Sequence, residues 1–322
     1  MSINSNPKDR FAIVGGAGFI GSNFVKYLLK NGHKVTVIDN FTSGTIEHLK
    51  EVEQDPQLKI HNFDVSDTQK LVSSFKNIHT VVHLASNPDI SKATSFPRID
   101  FDQGTKLTES VVEAARLADV ATIFYASGSG VYGDVGNQIL DENSKLQPIS
   151  TYGASKLAGE ALIASYSYMF GIKGLCFRFA NVVGPMQTHG IGYDFIRKLK
   201  RDNSKLDVLG NGNQSKSYIY VDDVINALMT AYKNQILLND VYNISTDDSL
   251  NVKDIAKMAI KVMGLEKEHV PINYGNSIRG WKADVPIVRL SSEKIRAFGW
   301  SPILNSTQAM KLALDEMKHE QV

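Results

Sequence analysis

The sequence predicts an α/β protein built on a doubly wound parallel sheet, with a smaller mixed α/β domain as its second part. Three observations lead to this prediction. Short apolar runs alternate with helical patterns through the first half of the chain, a glycine-rich turn follows the first run, and 322 residues suit about two domains. We expect residues 1–184 to form the first domain, interleaved with 217–245, and residues 185–322 to form the second.

The strands of the first domain are predicted where short apolar runs are bounded by Gly, Asn, Asp or Ser. These runs are FAIVG (11–15), KVTVID (34–39), LKIHNF (58–63), HTVVHLA (79–85), ATIFYA (121–126) and IKGLCFRFA (172–180). Helical segments are predicted between them at 19–32, 105–118 and 151–171. Strands that alternate with helices of this length form βαβ units, which require a parallel sheet.

Beyond residue 190 the alternation of strands and helices is less regular. Segments 191–205, 253–264 and 306–319 are predicted as helices, and KLDVLG and YIYV as short strands. No internal repeat or low-complexity linker separates this part from the first. A smaller domain that packs against the first is therefore expected.

The composition excludes several function classes. A net charge of +1 without a run of like charges argues against nucleic acid or an anionic membrane as the main partner. The polar start MSINSNPKDR lacks the apolar stretch of a signal peptide, and no apolar run approaches the roughly 18 residues of a membrane span. The one cysteine, Cys176, allows no internal disulfide and suits a reducing compartment. We therefore expect a cytoplasmic protein.

Cysteine and histidine residues do not form a metal-binding pattern in the sequence, so no metal site is expected. His79 and His83 lie four residues apart, but on a predicted buried strand rather than on one face of a helix. Packed core histidines are the better interpretation of this pair.

A glycine triplet, Gly15, Gly18 and Gly21, follows the first predicted strand and opens the first predicted helix. Glycines there allow a tight turn and bring backbone N–H groups close to a pyrophosphate at the positive end of the helix. Asp39 ends the second strand, near the spacing of a carboxylate that binds the adenosine ribose, and no Arg follows it to bind a 2′-phosphate. Asp64 ends the third strand, where it would meet the adenine amine. The pattern predicts a Rossmann dinucleotide site that favours NAD over NADP.

Tyr152 and Lys156, in the stretch YGASK, lie four residues apart at the start of a predicted helix and therefore share one face. A phenol titrates near pH 10 unaided, and a nearby lysine cation lowers its pKa because it stabilises the phenolate. Beside a nicotinamide, such a pair moves a proton in step with hydride transfer. The same spacing also occurs in simple surface pairs, but this pair opens the helix that follows the fifth strand.

Several motifs occur together in one order: GGAGFIG, the aspartate at 39, VVHLA (81–85), VYGD (131–134), YGASK, RFANVVGP (178–185) and YIYVDDV (218–224). Together they resemble the extended short-chain dehydrogenase/reductase family, in its nucleotide-sugar epimerase/dehydratase branch, from residue 11 to about 302. The resemblance implies bound NAD, a nucleoside-diphosphate sugar in the cleft between the domains, and a homodimer through paired helices.

The resemblance also assigns roles to individual residues. It makes Tyr152 the catalytic base, lets Lys156 hold the nicotinamide ribose as well, and places Asn181 near the substrate diphosphate. The cofactor contacts that it implies are Gly15, Gly18, Phe19, Ile20, Gly21, Asp39, Asn40, Asp64, Val65, Leu84, Ala85 and Ser86, together with Tyr152 and Lys156.

The stretch YASGSGVYGD (125–134) bears on the type of reaction. Dehydratases of this family have acidic residues just before VYG, and decarboxylases keep a Glu directly before the Val. Here the corresponding positions are Gly128, Ser129 and Gly130, so elimination lacks its proton donor. Small and hydroxyl residues at these positions are similar to those of epimerases.

The catalytic Ser or Thr of the family falls on Gly128. Either Ser127 or Ser129 then polarises the sugar oxygen, or this polarisation is weak or absent. Along an extended strand residues 127 and 129 point to one side and residue 128 to the other, so the backbone must shift for either serine to act. We favour Ser129 as the catalytic hydroxyl, and backbone capping is the alternative role.

Lys216 and Arg279 are the candidate cations for the substrate diphosphate. Relatives often have Arg where this chain has Lys216, and lysine keeps the charge but loses the bidentate geometry. Near the C-terminal motif, Trp281 stands where relatives often place another Arg, and Arg279 lies two residues before it.

These residues favour C4 epimerisation of a UDP-hexose through a 4-keto intermediate. An NAD-dependent sugar or alcohol dehydrogenase with net oxidoreduction is the alternative, because its first half-reaction is the same. A non-catalytic NAD-binding protein and a lyase are further alternatives on the same fold.

Overall fold

The computed structural model describes residues 9–234 and 239–320, so the polar start of the chain lies almost entirely outside the described residues. The chain divides into two compact units. Unit 1 comprises Met1–Ser127, Ser155–Phe177 and Gln235–Val241, and unit 2 comprises Gly128–Ala154, Arg178–Asn234 and Tyr242–Val322. By packing, residues 128–154 and 178–184 therefore group with the C-terminal part, and the domain division 1–184 and 185–322 stays a prediction.

The elements follow in chain order. The strands are β1 (Arg10–Val14), β2 (Lys34–Asp39), β3 (Leu58–Asn62), β4 (Thr80–His83), β5 (Thr122–Gly128), β6 (Lys173–Phe179), β7 (Asn181–Val183), β8 (Leu206–Val208), β9 (Ser215–Lys216), β10 (Tyr218–Tyr220), β11 (Asn239–Ile244), β12 (Leu250–Asn251), β13 (Ile272–Tyr274) and β14 (Ile287–Val288). The helices are α1 (Phe19–Lys30), α2 (Thr68–Ser74), α3 (Lys106–Leu117), α4 (Thr151–Phe170), α5 (Ile191–Arg201), α6 (Val221–Lys233), α7 (Val252–Val262), α8 (Glu293–Arg296) and α9 (Ser306–His319).

A seven-stranded parallel sheet, counted over the described residues, confirms the predicted fold class. Its strand order is β11-β6-β5-β4-β1-β2-β3, so the order reverses between β1 and β4. Ligands of doubly wound folds bind at this reversal, beyond the carboxyl ends of the strands. The central strands are buried throughout β4 and nearly throughout β1 and β5, which is why they are continuous apolar runs in the sequence.

The core of unit 1 lies between this sheet and the helix pair α2 and α3. The apolar face that was predicted for 105–118 is buried there, with Val111, Val112 and Ala115 against Val81 and Ile123 of the sheet. The helix itself begins one residue later than predicted, because a π-helical turn over Phe101–Thr105 leads directly into it.

Cys176 is buried in the same core.

Unit 2 has a helical core in which α5, α7 and α9 pack on one another, and α9 also packs on β10. Short strands pair around it: β7 with β10, β9 with β12 and β14, and β8 with β13. The three helices predicted beyond residue 190 are confirmed as α5, α7 and α9. The elements that were not predicted are α2, α6, α8, β7, β9, β11, β12, β13 and β14.

The two histidines of the predicted buried strand, His79 and His83, differ in burial. His83 is buried at the end of β4, as expected, but His79 is exposed because β4 begins only at Thr80. Across residues 9–234 and 239–320, the helices are too short or too polar to cross a membrane.

Candidate active site

The glycine turn between β1 and α1 depends on missing side chains. Gly15 has φ +84, and a Cβ on it would lie 2.7 Å from the backbone nitrogen of Ala85. A Cβ on Gly21 would overlap the carbonyl oxygen of Gly15. Gly18, by contrast, has an ordinary extended conformation and ends the turn as the N-cap of α1. Glycine is thus required at 15 and 21 for the turn itself.

The N-terminus of α1 suits an anion. Gly18 supplies no capping side chain, and the first turn, which starts with Phe19 and Ile20, contains no acidic residue. The first N–H groups of a helix carry partial positive charge and bind phosphate when no side chain satisfies them. The turn therefore fits a pyrophosphate.

Asp39 joins the end of β2 to this turn. Its two carboxylate oxygens accept hydrogen bonds from the backbone N–H groups of Ala17 and Phe41, each at 2.9 Å. The side chain is buried, so its position is defined by these contacts. A buried carboxylate with no arginine beside it in residues 40–46 disfavours a 2′-phosphate.

The adenosine end of the predicted cofactor site is open. Asn40 donates a hydrogen bond to Asp64 at 2.9 Å, and hydrogen bonds from Ser66 lower the pKa of Asp64. Beyond β2 and β3 lies a cavity of about 550 Å³, whose lining includes Phe41 and Asn62.

The remaining predicted cofactor residues of unit 1 lie at the same edge of the sheet. Leu84 and Ala85 both donate backbone hydrogen bonds to the carbonyl oxygen of Val14, which fixes the loop after β4 on the glycine turn. Ser86 follows them and is half-buried, and Val65 is buried after β3. The structure thus brings the predicted dinucleotide contacts of unit 1 together at the carboxyl ends of β1–β4.

Lys156 is buried on the second turn of α4. Its Nζ donates a hydrogen bond to the carbonyl oxygen of Ala126 at 2.8 Å and lies 5.2 Å from the centroid of the Tyr125 ring. Burial lowers the pKa of Lys156 to about 8, while the charges of Asp100 and Glu160 oppose this shift. The lysine is therefore a cation that titrates near the physiological range.

Ser127 is directed into the interior of unit 1. The residue is buried, and its hydroxyl donates a hydrogen bond of 2.5 Å to the carboxylate of Glu160. The sequence patterns did not single out Glu160, although it lies four residues after Lys156 on the same helix. That spacing is the signal that would have found it.

Tyr152 lies on the first turn of α4, one helical turn before Lys156. The turn packs tightly on the segment that follows β5, since a Cβ on Gly153 would overlap the carbonyl oxygen of Gly130. A Cβ on Gly130 would lie 3.9 Å from Cδ1 of Tyr152. The missing side chain of Gly153 therefore allows the two segments of unit 2 to touch.

Ser129 belongs to the segment that contacts this turn. Strand β5 stays extended through Gly128, with φ −161 and ψ 167, and Ser129 then begins a 3-10 turn over Ser129–Val131. The residue between the two serines is thus extended, and the backbone turns only from Ser129 onward, so the choice between the two hydroxyls stays a prediction. Ser129 is half-buried.

Gly128 leaves space at the end of β5. A Cβ there would have only the carbonyl oxygen of Phe179 near it, at 3.9 Å. Because the backbone is extended, any residue is sterically acceptable at this position.

The predicted substrate cations meet in unit 2. Lys216 forms an ion pair of 2.6 Å with Asp284, and Arg279 pairs with Asp134 at 2.5 Å and donates to the carbonyl oxygen of Asp284. Asn181 pairs with Tyr218 in the register of β7 and β10, and its amide donates to the carbonyl oxygen of Ser217 at 3.2 Å. Asp284 therefore links Lys216 and Arg279, while Asn181 contacts the backbone of Ser217, the residue after Lys216.

Comparisons of the sequence with a family model and with known proteins point to the same family. The family described as "NAD dependent epimerase/dehydratase family" matches residues 11–245. UDP-glucose 4-epimerase of Lactobacillus helveticus is 29% identical over 311 residues, which cover 90% of this chain and 91% of that protein. Human dTDP-D-glucose 4,6-dehydratase is 26% identical over 316 residues, 95% of this chain and 89% of the relative.

Solved structures of proteins named as epimerases also match the chain. A crystal structure of UDP-galactose 4-epimerase is 35% identical, with a TM-score of 0.84, and the match covers 96% of this chain and 98% of the other. UDP-glucose 4-epimerase of Thermus thermophilus in complex with NAD is 26% identical, with a TM-score of 0.85 and coverage of 96% and 99%. The family match over residues 11–245 and the similarity to these solved structures show that the chain belongs to the NAD-dependent epimerase/dehydratase family.

Proposed function

We propose that the protein catalyses the NAD-dependent C4 epimerisation of a UDP-hexose. One observation carries this proposal: Tyr152 and Lys156 lie one turn apart at the start of α4, and the segment packed on that turn, residues 128–130, contains no acid. NAD is the cofactor of the family, and the glycine turn of this chain fits it.

NAD, when bound, accepts a hydride from the sugar C4 and later returns it. We assign the accompanying proton to Tyr152, which takes it from the C4 hydroxyl as the ketone forms and gives it back afterwards. The Lys156 cation stabilises the phenolate form of Tyr152 and thereby brings the tyrosine into the range of a useful base. Ser129 is the proposed hydrogen-bond donor to the C4 oxygen, because the hydroxyl of Ser127 is bonded to Glu160.

Epimerisation requires the keto sugar to turn over while the nucleotide stays bound. Asn181, Lys216 and Arg279 are proposed to hold the diphosphate, since the two cations share contacts with Asp284 and Asn181 contacts the backbone of Ser217, next to Lys216. Binding energy remote from the reacting carbon then retains the substrate while the sugar is loosely held.

The segment that packs on the first turn of α4 contains no acid for elimination. Residues 128–130 are Gly, Ser and Gly, and the nearest carboxylate along α4, Glu160, accepts a hydrogen bond from the buried Ser127. A water-eliminating reaction requires a proton donor for the departing hydroxyl. This supports epimerisation over dehydration, although relatives with both names have similar identity to the chain.

We further propose a cytoplasmic homodimer. The C-terminal turn of α4 has two largely exposed apolar residues, Tyr168 and Met169, and Leu117 of α3 is half exposed. Such exposed apolar side chains on neighbouring helices of unit 1 suit a helix-paired interface.

Incubation with a panel of UDP-hexoses, including N-acetyl and uronate forms, tests the proposal. Products are resolved by NMR while absorbance of NADH is followed. We expect a C4 epimer without net NADH, and its loss in Tyr152→Phe. Net NADH without an epimer would instead establish a dehydrogenase, and a 4-keto-6-deoxy product would establish a dehydratase.

A further inference from the structure

Three consecutive residues of β5 engage two consecutive turns of α4 in unit 1. The ring face of Tyr125 and the carbonyl oxygen of Ala126 both contact the ammonium group of Lys156. The next residue, Ser127, donates its hydroxyl to Glu160. The Tyr125 ring also touches the helix backbone, since a Cβ on Gly159 would overlap its hydroxyl. Contacts with a single strand, β5, therefore fix both this part of α4 and the side chain of Lys156.

Two buried carboxylates lie near this lysine on two different elements. Glu160 is one turn later on α4, and Asp100 is held by the residue before Lys156, since the hydroxyl of Ser155 donates a hydrogen bond of 2.7 Å to the carbonyl oxygen of Asp100. Asp100, just before the π-helical turn that opens α3, is 1% exposed, and Glu160 on α4 is 6% exposed. Each accepts a hydrogen bond from a buried neutral side chain: Asn87 donates to Asp100 at 2.8 Å, and Ser127 donates to Glu160 at 2.5 Å. Burial of a carboxylate costs several kcal/mol unless it is hydrogen-bonded and near a cation, so the retention of two requires a reason.

The other polar groups around Lys156 do not supply negative charge. His83 of β4 is fully buried beneath Tyr125, with ring centroids 5.6 Å apart, and burial lowers its pKa to about 3. Tyr125 contributes a ring face, and Tyr152 is one turn earlier on the same helix. Among the described residues, Asp100 and Glu160 are the acidic groups that act on the lysine charge.

We propose that Asp100 and Glu160 are positioning residues that act through Lys156, keeping its buried ammonium group charged and fixed beside the end of β5. Asn87 and Ser127 hold the two carboxylates in place, so Ser127 serves this charge cluster and not the sugar. The inference rests on the proposed role of Lys156 in catalysis, but its first test does not.

The first test is the titration of Lys156 in the NAD-bound protein. The protein is labelled with 13C-lysine, and the Cε resonance of Lys156 is identified by its absence in Lys156→Arg. Asp100→Asn and Glu160→Gln keep the hydrogen-bond acceptor while removing the charge, so the fold is preserved. We expect each to move the titration midpoint to lower pH by about half a unit to one unit, and the double variant to move it further. Glu109→Gln, which removes an exposed acid from α3, is the matched control and is expected to leave it unchanged.

The second test is the pH profile of kcat/KM for epimerisation. In Asp100→Asn and Glu160→Gln, the decline on the alkaline side is expected to begin at lower pH, with KM unchanged at pH 6.5. A merely structural role would lower the melting temperature without moving this limb.

The outcomes separate this inference from the proposed function. An unchanged Lys156 titration in both charge-removing variants overturns the inference, whatever the enzyme does. A shifted titration in a protein that epimerises no sugar supports the inference and refutes the proposed function.

Discussion

At the scale of single residues, the phenol of Tyr152 is the group on which the proposed chemistry depends. Tyr152→Phe removes one oxygen and leaves the ring that packs near Gly130. We expect kcat to fall by about 10²- to 10⁴-fold with little change in KM, because general acid–base catalysis contributes on that order. Tyr168→Phe is the matched control, since Tyr168 lies on the same helix and is 94% exposed. A Tyr152→Phe enzyme within threefold of the wild type would assign the proton transfer to another group.

Gly128 provides a second test at this scale. The open space beside it predicts that Gly128→Ser leaves the melting temperature within about 1 °C of the wild type, since no atom is displaced and the backbone conformation suits any residue. Gly153→Ala is the opposite case, because its Cβ would overlap the carbonyl oxygen of Gly130, and overpacking costs about 1–3 kcal/mol.

The variant Gly128→Ser also tests which residue supplies the catalytic hydroxyl. If Ser129 supplies it, Ser129→Ala lowers kcat, and the double variant Gly128→Ser/Ser129→Ala recovers part of the loss from the adjacent position. Steady-state kinetics with the preferred UDP-hexose measure both effects. A Ser129→Ala enzyme with unchanged kcat would return Ser129 to a backbone-capping role.

At the scale of elements, different glycines of the turn between β1 and α1 are expected to serve packing and ligand binding. Gly21→Ala places a methyl group on the carbonyl oxygen of Gly15, so we expect the cofactor-free protein to lose about 1–3 kcal/mol of stability. Gly18→Ala is different, because Gly18 has an extended conformation and its Cβ would lie 3.4 Å from the nearest atom. We expect this variant to keep its melting temperature without NAD and to lose the increase that NAD produces in the wild type. Equal loss of stability in both variants would contradict this division.

The elements that the sequence revealed are those whose pattern comes from burial alone. Strands β1, β2, β4 and β5 are apolar runs because both faces of the sheet are covered, and α3 shows its buried stripe. Helix α6 escaped prediction because the apolar strand YIYV runs directly into it without a turn residue. Strand β11 was not predicted because it begins with two polar residues, of which Asn239 is exposed and Asp240 half-buried.

Spacing along the chain predicted the groups of the candidate site whose residues are close in sequence, and not the contacts between residues that are distant in sequence. Tyr152 and Lys156 stand on one helix, and the glycine triplet lies in one turn, so spacing alone predicts both groups. The pairs Ser127–Glu160 and Lys216–Asp284 join residues 33 and 68 positions apart. No local pattern contains such distances, and only the packing of α4 on β5 and the pairing in unit 2 bring these atoms together.

At the scale of the whole molecule, one buried histidine contributes to the loss of stability in mild acid. Burial lowers the pKa of His83 in the folded protein to about 3, from 6.5 in an unfolded chain. Between these two pH values the unfolded chain binds a proton at His83 and the folded protein does not. The contribution of His83 to stability is therefore fully present above pH 6.5 and is lost as pH falls from 6.5 toward 3. The slope reaches at most about 1.4 kcal/mol per pH unit, and most carboxylates do not titrate in an unfolded chain above pH 5. In the window from pH 6.5 to 5, the contribution of His83 is therefore measured as the difference between the wild type and a variant that lacks this histidine.

Urea denaturation of the NAD-bound protein at pH 7.5, 6.5, 5.5 and 5.0 measures this loss. We expect the free energy of unfolding of the wild type to fall by about 1–2 kcal/mol between pH 6.5 and 5.0. In His83→Phe the aromatic contact with Tyr125 is kept but no group titrates, so the curve becomes flatter over this range although the variant loses the hydrogen bond to Thr108. His79→Asn, four residues earlier and exposed, is expected to retain the wild-type slope. If all three proteins lose stability equally, the pH dependence arises from groups other than His83, and the layer of His83 and Tyr125 beneath Lys156 does not limit the stability of the fold in mild acid.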